Sequence, residues 1–111
     1  DPELDLLRAT YKEEFVAAFR AAVLGLSRRE RTILRFAFID RLTPAEIGVM
    51  YGVHRTSAMR WMDAAQAQLL SRTRAGMMER LRLSRSECDH AISLIKSRMD
   101  HTIGTLLATA R

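Results

Sequence analysis

Three times the chain writes a Ser or Thr followed three residues later by Glu: LSRRE at 26–30, LTPAE at 42–46 and LSRSE at 83–87. Such a pair satisfies two otherwise orphaned backbone donors reciprocally at a helix start. Helices are therefore predicted to begin after Ser27, Thr43 and Ser84. Pro44 strengthens the second start, because its fixed φ suits the first helical position and its missing N–H costs nothing there. Leu42 and Ile47 are spaced as a hydrophobic staple across the same cap.

Apolar spacing fills in the remainder. Leu4, Leu7, Tyr11, Phe15, Ala18, Phe19 and Ala22 recur at three- and four-residue intervals, one stripe of an amphipathic helix that Gly25 ends. Ile33, Leu34, Ala37 and Phe38 form the next stripe, running to about Asp40, with Phe36 off it. The third helix is expected over 44–51, burying Ala45, Ile47 and Met50, and stopping at Gly52. A fourth, near 25 residues long, is expected from His54 or Arg55 with Ala58, Trp61, Met62, Ala65, Leu69 and Leu70 inward and Gly76 a weak point. Cys88, Ile92, Ile95, Met99, Ile103, Leu106 and Ala110 give the tail a stripe that must fold back on the long helix or meet another chain. No period-two run of β-branched residues reads as a strand. The fold class predicted is all-α, about five helices containing a helix-turn-helix, in three segments: an N-terminal helix over 1–26, a central unit over 27–82 and a C-terminal extension over 83–111.

Length and composition narrow the function. A chain of 111 residues supplies one modest helical core. With 48% hydrophobic and 28% charged residues it is composed as a globular protein rather than a disordered one. No apolar run approaches the roughly 20 residues that span a bilayer, and no charged leader precedes a short apolar segment. A single cysteine forbids an internal disulfide. The expectation is a cytoplasmic protein without membrane attachment, and the start at Asp1 suits a domain excised from something longer.

Net charge is +5, and it is uneven: residues 27–82 hold eleven Arg against five Asp or Glu, whereas residues 1–26 hold three basic against five acidic. An anion would dock on the middle of the chain.

Catalytic readings find little. Cys88 and His90 stand two apart, on different helix faces, and no second cysteine completes a zinc set. His101 lies three turns beyond His90, too far to share an ion. Glu13 and Glu14 are adjacent solvated charges, and no phosphate loop or serine-nucleophile motif is present. Met77, Met78 and Met99 read as core filling before they read as an adaptable partner surface. Neither an enzyme nor a cofactor or metal is expected.

The stretch LTPAEIGVMYGVHRTSAMRWM at 42–62 carries the functional reading. A short helix, a turn holding Gly52 and a helix opening on Arg, Thr and Ser is the helix-turn-helix pattern, with Ala45, Ile47, Val53, Ala58 and Met62 as its internal contacts. Arg55, Thr56, Met59, Arg60 and part of Asp63 then face outward, where base edges in a major groove offer partners. The competing interpretation is a helical hairpin with a merely solvated turn.

Residues 25–70 also resemble region 4 of bacterial RNA polymerase sigma factors of the sigma-70 family, particularly the extracytoplasmic-function type. The landmarks are LSRRERTIL, FIDRLTPAEI, YGVHRTSAMRWM and AAQAQLL. The resemblance implies recognition of the −35 promoter element in double-stranded DNA and docking on the β flap of the RNA polymerase core. By position in the family motif, His54, Arg55, Thr56, Ser57, Met59 and Arg60 would line the DNA side. Arg31 and Arg35 would contact phosphate, and Phe36 would face the polymerase. An anti-sigma factor is a further partner of this class.

Two features depart from the family pattern. The chain runs about 40 residues past Leu70, and Met59 and Trp61 replace residues that are often basic or small, so base preference does not carry over. The tail could brace the fold, pair two molecules through residues 84–111, or cover the DNA surface. Two alternatives remain: a stand-alone helix-turn-helix regulator dimerising through the C-terminal helix, and a helical module that binds a regulatory protein.

Overall fold

The computed structural model describes residues 2–95 together with Thr105, Leu107 and Ala108. Among these residues the elements run α1 (Pro2–Gly25), α2 (Arg28–Phe38), α3 (Pro44–Tyr51), α4 (Arg55–Leu81) and α5 (Arg85–Ile95), with no strand. Thr105, Leu107 and Ala108 are helical as well. The fold is all-α.

Each of the three caps forms as the sequence dictates. Ser27 Oγ accepts from Glu30 N at 3.1 Å while Ser27 N donates to Glu30 Oε1 at 2.9 Å. Thr43 and Glu46 repeat the exchange at 3.2 and 3.1 Å, and Ser84 and Glu87 at 3.1 Å both ways. The Ser84 amide and hydroxyl hold the Glu87 carboxyl below its ordinary value. A lowered acid favours the folded state above the unfolded value, so this contribution is lost as pH falls through the lowered folded value.

Caps set where helices start; packing holds them together. Helix α4 packs against all four other helices, and α1 runs antiparallel to it, Ala18 facing Gly76 and Gly25 facing Arg72. Phe15, Phe19, Val23, Leu26, Leu34, Ala65, Leu69 and Met77 bury the main cluster, which Cys88, Ala91 and Leu107 close from the C-terminal side. Each large side chain buried there contributes about 1.5–3 kcal/mol, against about 1 kcal/mol for a cap. Ile33, Ile47 and Ala58 are as deeply buried but lie outside this cluster, on the three helices that form the opposite end.

Several positions differ from the sequence expectation. Helix α3 buries Ile47 and Gly48 and half-buries Pro44 and Tyr51, a stripe at i, i+3, i+4 and i+7. Ala45 and Met50 lie on its other side, exposed, because two turns of helix can bury only one stripe. Leu70 is exposed for the same reason, being one residue beyond Leu69 on α4. Gly76 lies within an unbroken α4. It allows α1 to come close, since a Cβ there would stand 3.1 Å from the Ala18 Cβ. Helix α2 ends at Phe38, with the Ile39 and Asp40 amides sharing the Arg35 carbonyl and Arg41 left-handed at φ 56°.

The tail folds back rather than standing free: Cys88, Ala91 and Leu107 are buried in the same core as α1 and α4. Arg74 Nε, on α4, pairs with Asp89 Oδ1, on α5, at 2.8 Å. The Ile95 side chain, Met99, His101, Ile103, Leu106 and Ala110 lie outside the described residues. So do the side chains of Leu4 and Leu7. Self-association through 84–111 therefore falls partly there too. Among the described residues no helix is long and apolar enough to cross a membrane.

Burial raises the Cys88 thiol above its ordinary value, with the Asp89 charge adding to the shift. Native-state alkylation of Cys88 is accordingly expected to require opening of α5, and to run about tenfold or more slower than in denaturant. Equal rates in the two conditions would mean that α5 does not hold the thiol against α4 and the core.

Candidate nucleic-acid interface

The junction of α3 and α4 is built on a missing side chain. A Cβ on Gly48 would lie 2.7 Å from the Val53 carbonyl oxygen and 3.3 Å from the Arg55 nitrogen. Backbone therefore meets backbone at the turn. Gly52 takes the left-handed conformation at φ 68°, and Val53 N donates to Gly48 O at 2.9 Å, closing α3 in a Schellman-type turn. Ile47 and Ala58, both at 0% exposure, press the two helices together beside it.

His54 caps α4. Its Nδ1 accepts from Thr56 N at 3.1 Å and lies 3.0 Å from Thr56 Oγ1. The cap needs a bare Nδ1, so the neutral ring carries its hydrogen on Nε2. The His54 carbonyl takes the Ser57 and Ala58 amides at 3.0 and 3.2 Å. The sequence reading placed His54 on the DNA side. The structure adds a structural task that only cap geometry could reveal.

Beyond the cap, the buried positions Ala58, Ala65 and Leu69 fix which way α4 faces. At about 100° per residue, Thr56 and Arg60 point most directly away from that buried stripe with Asp63 close beside them, Met59 lies to one side and Arg55 nearer the buried edge. All five are exposed. Ser57 is half-buried and sits at the edge toward Trp61. The guanidinium groups of Arg55 and Arg60 have no hydrogen bond or carboxylate partner among the described residues. Two cations are thus held on the helix surface without internal neutralisation, near the positive end of the α4 dipole.

The α2 residues separate into different environments. Arg35 is exposed and without an ion pair among the described residues, whereas Phe36 is half-buried. Arg31 is half-buried, and its Nη1 donates to the Leu24 carbonyl at a long 3.4 Å, near the end of α1. It helps join α2 to α1.

Sequence reasoning missed the contact that joins α2, α3 and α4. Arg29 Cζ lies 3.5 Å from the Trp61 ring centroid, and Tyr51 meets the same ring edge-on at 5.7 Å. An exposed cation over an indole contributes about 0.5–1 kcal/mol. Arg29 and Trp61 are 32 positions apart, so no local spacing rule links them. Among the described residues no three His, Cys, Asp or Glu side chains stand together as a metal would need.

Comparison with protein-family models, curated proteins and solved structures finds no match to this chain.

Gly48→Ala is expected to destabilise the chain by about 1–3 kcal/mol in urea unfolding, because the new methyl meets backbone that cannot step aside. Gly52→Ala meets no atom within 4 Å and should cost only its backbone strain, about 1–2 kcal/mol. An unchanged midpoint for Gly48→Ala would mean that α3 and the turn are not in contact.

Proposed function

We propose that this chain binds double-stranded DNA through the first two turns of α4, with α3, the turn and α4 acting as a DNA-binding helix-turn-helix. The observation that carries the reading is the exposed face of Arg55, Thr56, Met59 and Arg60, whose two cations lack an acidic partner among the described residues. A helix fits the major groove, and its N-terminal residues are the ones that reach base edges. The buried contacts of Ile47, Gly48 and Ala58 give that face a rigid backing.

Within DNA binding, the resemblance over residues 25–70 favours a particular role: recognition of the −35 element as part of an alternative sigma factor in transcription initiation. The partners would be promoter DNA and the β flap of the polymerase core, in the cytoplasm, with no catalytic step and no cofactor. A self-sufficient repressor dimer is less well supported, because Cys88, Ala91 and Leu107 already spend apolar surface of the tail inside the chain. A second reading, a helical module whose ligand is a regulatory protein, draws on Val49 at 83% and Met50 at 55% exposure on α3.

Salt separates the two. DNA binding through two to four phosphate contacts should weaken with a log–log slope of about −2 to −4, whereas an apolar protein contact should hardly respond. Arg60→Ala should cost about 1–3 kcal/mol on a selected duplex and much less on random duplex if the side chain reads a base. Equal losses on both would make it a phosphate contact. Binding indifferent to salt would remove the DNA reading.

A further inference from the structure

The exposed face of α4 holds a side chain that phosphate binding alone does not call for. Met59 is 50% exposed and lies between Arg55 and Arg60 around the helix, about 100° round from buried Ala58. A single exposed apolar residue is ordinary on a protein surface. Its placement is what matters. Two unneutralised cations flank it and would draw a polyanion onto that face, and a phosphate offers nothing to a thioether.

In a DNA major groove the apolar group that projects from a base edge is the C5-methyl of thymine. Asp63, one turn further along the same face, points the same way. A carboxylate there repels phosphate but accepts a hydrogen bond from a cytosine amino group. Met59 and Asp63 are thus suited to base edges rather than to the phosphate backbone. We infer that Met59 is a specificity-determining residue that packs on the 5-methyl of a thymine in the bound duplex. The inference rests on the DNA reading of this face and adds the chemical feature that is read. An unbranched thioether suits such a contact, being flexible and polarizable.

The test begins with the 111-residue chain and duplexes it enriches from a randomised pool. In the enriched sequence each thymine is replaced in turn by deoxyuridine, which removes only the methyl. One position is expected to lose about 3- to 10-fold in affinity, as one buried methyl would supply. That loss should vanish in Met59→Ala and persist in Met59→Leu. Because Met59 is exposed, both variants should keep the native helical signal and unfolding midpoint.

An enriched sequence without thymine, or a deoxyuridine loss equal in Met59→Ala, overturns the inference and leaves DNA binding intact. No enrichment, with no salt-dependent binding to any duplex, overturns both.

Discussion

Everything at the functional end depends on the close approach of α3 to the turn before α4. Gly48 brings backbone within van der Waals range of Val53 and Arg55, where any side chain would intrude. That contact fixes the orientation in which α4 begins. With α4 so held, Ala58 must face inward and Met59 outward, since neighbouring residues on a helix are about 100° apart. The exposure of this α4 face is therefore a consequence of packing on its far side. It needs no special device of its own.

A single helix then joins the two ends of the molecule. Helix α4 is 27 residues long, and the main core grips its C-terminal two-thirds through Ala65, Leu69, Thr73 and Met77. Thr73 could have been a weak point, a hydroxyl in an apolar setting, but its Oγ1 donates to the Leu69 carbonyl at 2.7 Å. The N-terminal turns project from that core and are braced by α2 and α3. Trp61 meets Arg29 and Tyr51 where these helices converge, so the aromatic ring acts as a pin for the braced end. Binding energy delivered to the first turns would act on a rod already fixed at its other end, with little ordering cost left to bear.

The parts legible in the sequence were those governed by residues close along the chain. Capping boxes, Pro44 and Gly52 set the bounds of α3 exactly where the structure has them, because each acts within one turn. The apolar phase of a two-turn helix was harder. Ala45 and Met50 are as apolar as Ile47, and only the position of α4 decides which of them is covered. Leu70 beside Leu69 posed the same ambiguity. The Arg29–Trp61 stack and the Arg31 bond to Leu24 join different helices, and no spacing rule reaches that far. The motif puts His54 on the DNA side, yet its capping role depends on a ring nitrogen and an amide that only the fold brings together. For the candidate site, the polar segment is apparent from its pattern, whereas the direction in which each of its side chains points required the burial of Ala58, Ala65 and Leu69.

The central claim is that the leading turns of α4 are the DNA-contacting surface. Backbone amide NMR shifts during titration with an enriched duplex test it most directly. The account predicts the largest changes at His54–Arg60, smaller ones over residues 28–35 of α2, and none across Arg85–Ala91. Changes concentrated on α1 or α5, with His54–Arg60 unmoved at saturation, would contradict it.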